Sequence, residues 1–280
     1  MKNISLSLFL TIIIFTLSAF GQAGSTPEAL AAYNRGVALQ DDGDIDGALI
    51  EYEKAIKLAP NFTDPYLNRA NIRLSLRDFQ GSLADYGKVI EINPKDYQGY
   101  FNRAVVHSES GDYQGAIADY TRVIEIQPTY AMAYNNRGNA RKETGDKTGA
   151  LADYDAAIKI YPTFMAFFNR GGIKLELKDF DGSILDYQKA IELKPEYAET
   201  YFFIGLAYED KNNFPEALKN FSKTIELEPN YAEAYARRGL IHLAQKQKAA
   251  AAADLSKAIA LDPSLKASYQ TFLDDARKRR

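Results

Sequence analysis

Prolines recur along this chain at an almost constant interval. Pro60, Pro94, Pro128 and Pro162 are each 34 residues apart, Pro195 follows after 33, and Pro229 and Pro263 after 34 each. Each stands behind a short helical ending: KLAP, EINP, EIQP, KIYP, ELKP, ELEP and ALDP. A period of this length means that one supersecondary unit is repeated and stacked, because a single unit cannot bury its own apolar face. Seven copies run over 29–62, 63–96, 97–130, 131–164, 164–197, 198–231 and 232–265, with a one-residue deletion near Phe164.

Positions within a copy are numbered 1 to 34. Position 8 is always small (Gly36, Ala70, Ala104, Gly138, Gly171, Gly205, Gly239), and so is position 20 (Ala48, Ser82, Ala116, Ala150, Ser183, Ala217, Ala251). Two helices approach closely only where neither carries a bulky side chain. Position 4 is aromatic in six copies, from Tyr66 to Tyr235, with Ala32 in the first. Position 24 is Tyr52, Tyr86, Tyr120, Tyr154, Tyr187, Phe221 and Leu255, and position 28 is isoleucine seven times. These spacings follow helical periodicity. Asp44, Asp78, Asp112, Asp146 and Asp179 precede the second helix of their copies at cap-type positions, and Ser25, Thr26, Pro27 and Glu28 read as the start of the first helix.

Small residues at 8 and 20, an aromatic at 24 and proline at 32, every 34 residues over 29–265, resemble the tetratricopeptide repeat family. The resemblance implies an all-α fold, an α-solenoid of seven helix-turn-helix repeats in a right-handed superhelix with a concave groove. Residues 22–28 then form an N-terminal cap segment. Residues 266–280, with Tyr269, Phe272, Leu273 and Ala276 on one face, form a C-terminal capping helix with a basic tail, as the open end of a stack requires.

Two polar columns stand out. Position 7 is Arg35, Arg69, Arg103, Arg137, Arg170 and Arg238, with Ile204 in the sixth copy. Position 23 is Glu51, Asp85, Asp119, Asp153, Asp186 and Asp254, with Asn220 in the sixth. The copy that loses its arginine also loses its acid. That co-variation predicts structural arginine–carboxylate bonds between helices of the same or a neighbouring hairpin. Position 6 is asparagine in five consecutive copies: Asn34, Asn68, Asn102, Asn136 and Asn169. No partner column for them is visible. An amide offers donors and an acceptor that match a peptide backbone of any sequence. By family analogy these asparagines line the groove with Asn71, Phe101, Asn139 and Phe168; the other reading is that they only bridge helices. The later copies add Glu199, Phe202, Glu209, Asp210 and Glu233, an acidic stretch that favours a basic or neutral ligand.

Little points to chemistry. His107 and His242 both fall at position 11, read as a packing column, and no nucleophile–base, phosphate-loop or metal-ligand motif is present. The chain has no cysteine, which removes thiolate chemistry and disulfides. A net charge of −3 gives no basic face for nucleic acid. No cofactor, metal or small-molecule substrate is therefore expected. At the start, Lys2, the apolar run LFLTIIIFTL over 8–17 and the small residues Ser18, Ala19 and Gly21 read as a signal peptide over 1–21. A retained anchor is the alternative for that segment; the mature form is expected to have no membrane span. The chain as a whole reads as an exported bacterial protein, periplasmic or secreted. Its expected role is a non-catalytic scaffold that holds an extended peptide of a protein partner in the groove. The alternatives are an architectural subunit of an envelope assembly using its convex face or ends, and, more remotely, an envelope glycan hydrolase.

Overall fold

A computed structural model describes residues 24–278. The segment expected to be a signal lies outside the described residues, as do Arg279 and Arg280. The described residues are helical, with no strand among them. They form two compact units, divided between Thr144 and Gly145.

The first unit contains α1 (Pro27–Asp41), α2 (Ile45–Leu58), α3 (Thr63–Ser75), α4 (Phe79–Ile92), α5 (Tyr97–Glu109), α6 (Tyr113–Ile126) and α7 (Ala131–Glu143). α1 pairs with α2, α3 with α4 and α5 with α6, and each pair packs on the next through α2–α3, α4–α5 and α6–α7. The second unit contains α8 (Lys147–Ile160), α9 (Phe164–Glu176), α10 (Phe180–Leu193), α11 (Ala198–Asp210), α12 (Phe214–Leu227), α13 (Ala232–Ala244), α14 (Lys248–Leu261) and α15 (Lys266–Arg277). Its hairpins stack in the same way. The deletion near Phe164 is taken up outside the helices. Three residues separate α8 from α9, where four separate α2 from α3, α4 from α5 and α10 from α11.

The small columns sit where helices close on one another. Ser82 and Ser183, at position 20, donate from their hydroxyls to the carbonyls of Ala70 and Gly171, at position 8 of the facing helix, at 2.9 and 2.8 Å. Opposite position 8 lies the ring at position 24. A Cβ built on Gly36 or Gly205 would fall 2.6 Å from the ring of Tyr52 or Phe221. Those rings are fully buried and are among the largest side chains of the core. Asp44, Asp78, Asp112, Asp146 and Asp179 each accept from the backbone N–H of the glycine three residues on, satisfying one of the free donors of the second helix. Thr26 does the same for α1 through Ala29.

The capping helix α15 packs on α14 and α13 with Tyr269, Leu273 and Ala276 buried. Phe272 departs from the expected face and is 44% exposed. At about 100° per residue, Tyr269, Leu273 and Ala276 fall within about 60° of one another, and Phe272 lies about 40° beyond the edge of that stripe.

Each turn within a hairpin needs one left-handed residue, at position 15. Gly43, Gly111 and Gly145 hold it at φ 83–84°, but Arg77, Lys178, Asn212 and Lys246 hold it at 58–64°. A side chain in that region costs roughly 1–2 kcal/mol, which glycine avoids. Lys178→Gly is expected to stabilise the second unit by about 1 kcal/mol after the extra freedom of the unfolded glycine is counted. Urea unfolding would check this, and a lowered midpoint would show that the lysine side chain contributes more than its backbone strain costs.

Candidate functional site

The arginine and acid columns meet within single hairpins. Arg69 donates to both oxygens of Asp85 at 2.9 and 2.7 Å, Arg103 to both of Asp119 at 2.7 Å, and Arg238 to both of Asp254 at 2.8 Å. Arg170 holds Asp186 in the same way, its Nε 2.8 Å from Oδ2. The aspartates are buried, and such two-point bonds fix geometry as well as charge. In the first copy Arg35 meets a single oxygen of Glu51 at the surface. Arg137 belongs to the first unit and Asp153 to the second. The guanidinium planes also lie over the aromatic ring at position 4, 5.8 Å from Tyr66 and Tyr100, 5.7 Å from Tyr134 and Phe167, and 5.6 Å from Tyr235. In three copies another nitrogen reaches back to position 25 of the preceding copy. Arg137 donates to Thr121 at 3.0 Å, Arg170 to Asp155 at 2.6 Å and Arg238 to Ser222 at 3.0 Å. Arg170 and Arg238 thus each join the two helices of their own hairpin and the second helix of the copy before it.

A second cationic column serves the same acids. Arg73 Nη1 lies 2.7 Å from Asp85 and Lys174 Nζ 2.8 Å from Asp186. His107 and His242, expected to be packing residues, occupy this same position 11. Their Nε2 atoms stand 3.8 Å from Asp119 and 3.9 Å from Asp254. Nδ1 of His107 is 2.7 Å from the capping Asp112, and that of His242 is 2.6 Å from Gln247. The reading of position 11 as a packing column is therefore corrected: it carries Arg73, His107, Arg141, Lys174 and His242, and turns to Leu39 and Tyr208 in the first and sixth copies. The sixth copy has Asn220 as its position 23 residue. There the loss of the acid coincides with the loss of this cation as well, whereas the first copy keeps Glu51 with Leu39 at position 11.

Two of the asparagines find a partner in the preceding copy. Asn68 is buried and donates from Nδ2 to the hydroxyls of Tyr52, at 3.1 Å, and Tyr33, at 3.4 Å. Asn136 hydrogen-bonds Tyr120, as does Ser108. The partner is the position 24 tyrosine of the preceding copy, which projects between neighbouring first helices. Asn71 accepts from the Tyr86 hydroxyl. Asn102 is half-buried on α5 without a hydrogen bond from its amide, and Asn34 is exposed on α1. Asn139 and Asn169 are half-buried. Phe101 and Phe168 are 5% and 8% exposed, packed edge-on against Tyr120 and Tyr187 at 5.6 and 5.5 Å, so these two belong to the core and do not line an open groove.

In the second unit the first-helix face becomes aromatic and acidic. Phe164, Phe168, Tyr197 and Phe203 form one network with centroids 5.0–5.7 Å apart. Glu199 accepts from the Tyr197 hydroxyl at 2.9 Å. Burial pushes the Glu199 carboxyl above its ordinary range, and that hydrogen bond draws it partly back. Glu209 is also pushed up by burial and partly restored by Arg237, whose Nη1 is 3.7 Å away. Glu233 accepts from Arg237 at 3.2 Å and from the Tyr269 hydroxyl at 3.0 Å. No group of acids and histidines among the described residues could hold a metal ion, and no described helix is long and apolar enough to cross a membrane.

Stacked hairpins, tied internally by arginine and presenting first-helix faces, define a protein–protein interaction scaffold. The chain belongs to the tetratricopeptide repeat family. Models of that repeat match residues 29–62, 63–96, 86–118, 107–145, 131–164, 171–212 and 204–265. Proteins of this family are generally non-catalytic. The crystal structure of MamA protein is similar at 27% identity and a TM-score of 0.57, over 61% of this chain and 94% of that one. YrrB, described as a TPR protein with an unusual peptide-binding site, is similar at 25% identity and a TM-score of 0.56, over 64% of this chain and 92% of its own. A tetratricopeptide repeat protein from Parabacteroides merdae shares the fold at 20% identity and a TM-score of 0.65, over 90% of this chain and all of that one. No curated protein matches the chain.

Proposed function

We propose that the chain is a non-catalytic scaffold whose first-helix faces hold an extended peptide segment of a protein partner. The observation that carries this reading is the division among the asparagines. Asn68 is occupied by two tyrosine hydroxyls, whereas the half-buried amide of Asn102, in the same column, makes no hydrogen bond among the described residues. A half-buried amide without an internal partner suits an incoming peptide backbone. The similarity to YrrB supports the same reading.

The two residues separate structure from binding. Asn68→Ala is expected to cost about 1–2 kcal/mol, because a buried hydrogen-bonded pair of tyrosine hydroxyls loses its donor. Asn102→Ala is expected to leave stability within about 0.5 kcal/mol. It should nonetheless weaken peptides selected on the full chain from a displayed library of random dodecapeptides. Selected peptides that bind Asn102→Ala as tightly as the parent chain would remove this amide from the interface; a library that gives no binder would remove the peptide-binding reading.

Export is proposed with it, on the strength of the apolar run at 8–17 and the small residues after it. N-terminal sequencing of the protein recovered from cells is expected to begin at Gln22, and an intact Met1 would sink the assignment.

A further inference from the structure

Arg237 has two acids to serve. Its Nε donates to Oε1 of Glu233, one turn earlier on α13, at 3.2 Å, and its Nη1 stands 3.7 Å from Oε2 of Glu209 on α11. The second distance is too long for a hydrogen bond. That Glu209 oxygen is buried and has no hydrogen-bond partner. The Glu233 oxygen that Arg237 reaches also accepts from the hydroxyl of Tyr269 on α15, at 3.0 Å. Two carboxylates around one guanidinium leave the α11–α13–α15 seam with one negative charge in excess. Glu209, whose side chain is 20% exposed, is the less well paired of the two.

The charges around Glu209 do not relieve it. Arg237 and Glu233 act on it from α13 and Asp210 from its own helix, while Tyr269 faces the same acids from α15. Among the described residues no charged group of α12 acts on it. Of these neighbours only Arg237 is positive. Burial, with Asp210 and Glu233 behind it, holds the Glu209 carboxyl above its ordinary range against the pull of Arg237. A carboxyl raised in this way binds its proton more tightly in the fold than in the unfolded chain. It therefore weakens the fold at neutral pH, and the loss is relieved as pH falls toward the ordinary glutamate value of about 4.5.

The capping helix feels this charge through one bond. Tyr269 to Glu233 is its polar tie to α13, whereas Arg277 to Ser256, at 3.0 Å, and Lys248 to the carbonyl of Lys278, at 3.3 Å, join it to α14. Beneath α15 lie Ala236, Leu255 and Ala258, the apolar end of the stack. We propose that the α11–α13–α15 seam is a proton-sensitive clasp on the capping helix. With Glu209 charged, Arg237 is divided between two acids and α15 opens more often. With Glu209 protonated, Arg237 serves Glu233 alone and fixes the oxygen that holds Tyr269. The clasp sets how often the apolar end of the stack is uncovered, whatever the first-helix faces bind.

Hydrogen exchange of the full chain at about pH 7.5 and about pH 5, with protection factors corrected for the intrinsic pH dependence of exchange, tests the clasp. The amides of α15 are expected to gain protection severalfold on the acid side. Glu209→Gln should show that protection already at neutral pH and keep it across the range. Tyr269→Phe keeps the ring but cuts the link, and α15 should then stop responding to pH. Glu199→Gln removes another carboxyl that burial pushes up, but one bonded to Tyr197, and should leave the α15 response intact. Protection of α15 that does not rise on acidification, or a rise that persists in Glu209→Gln, would overturn the clasp.

Discussion

Asp85→Ala is expected to destabilise the first unit by about 3 kcal/mol, at the lower end of what breaking a buried ion pair costs. The Asp85 side chain is 4% exposed and accepts three hydrogen bonds, two from Arg69 and one from Arg73. Removing it takes from Arg69 its hydrogen-bonded counter-charge and leaves Arg73 only Asp78, 3.6 Å from its Nε. Arg69, 14% exposed, has little water to turn to and keeps only the ring of Tyr66 beneath it. Arg73 is 29% exposed and retains the carbonyl of Gly81 at 3.2 Å, which moderates the loss. Urea unfolding measures the total. Because each hairpin in a stack contacts only its neighbours, amides of α3 and α4 should lose hydrogen-exchange protection before those of α5 and α6. The double change Arg69→Met/Asp85→Leu should recover at least half of the loss, since it removes both members of the bidentate pair and restores apolar packing. If the double variant is as unstable as the two single changes summed, the pair is not coupled.

The repeat, the helix pairing, the caps and the arginine–acid column were legible in sequence for one reason. Each depends on residues in the same copy, so each recurs in register, and a loss in one column coincides with a loss in the other, as Ile204 coincides with Asn220. The asparagine column was not legible as a structural tie because its partner lies in the preceding copy. Asn68 must be compared with Tyr52 and Asn136 with Tyr120. Shifting the columns by one copy makes the pattern visible: Arg237 replaces asparagine where the preceding position 24 residue is Phe221, which has no hydroxyl. His107 and His242 misled for a different reason. Two histidines in a column suggested packing, although Arg73 and Lys174 stood in it as well. Phe101 and Phe168 were placed on the groove by analogy. Position 5 lies three residues before position 8 on the helix, and the buried Ala104 and Gly171 beside them show that this flank turns toward the next helix. The unpaired hydroxyl of Tyr187 could not be read from its own residue type; it follows from the joint presence of Gly172, Leu175 and Phe203 at the places from which Asn71 meets Tyr86, and Gln40 and Asn68 meet Tyr52.

Tyr120→Ala is expected to cost about 3–5 kcal/mol, the largest loss predicted for a single side chain in this protein. Its ring is 1% exposed and lies in the cluster that joins Phe101, Ala104, Val123 and Ala133, so truncation opens a cavity at the junction of α5, α6 and α7. The hydroxyl contributes separately. Ser108 and Asn136 both bond it, and burial already holds the phenol well above its usual range, so it stays a neutral donor and acceptor. Tyr120→Phe keeps the ring but leaves those two groups short of a partner, at a cost of about 1–2 kcal/mol. The same substitution at Tyr187 deletes a hydroxyl that nothing meets, and should cost nothing or stabilise. Urea midpoints of the three variants put a sign on each column. An equal loss from Tyr120→Phe and Tyr187→Phe would mean that both phenols are satisfied in solution, and that the two columns do not differ in the way the contacts indicate.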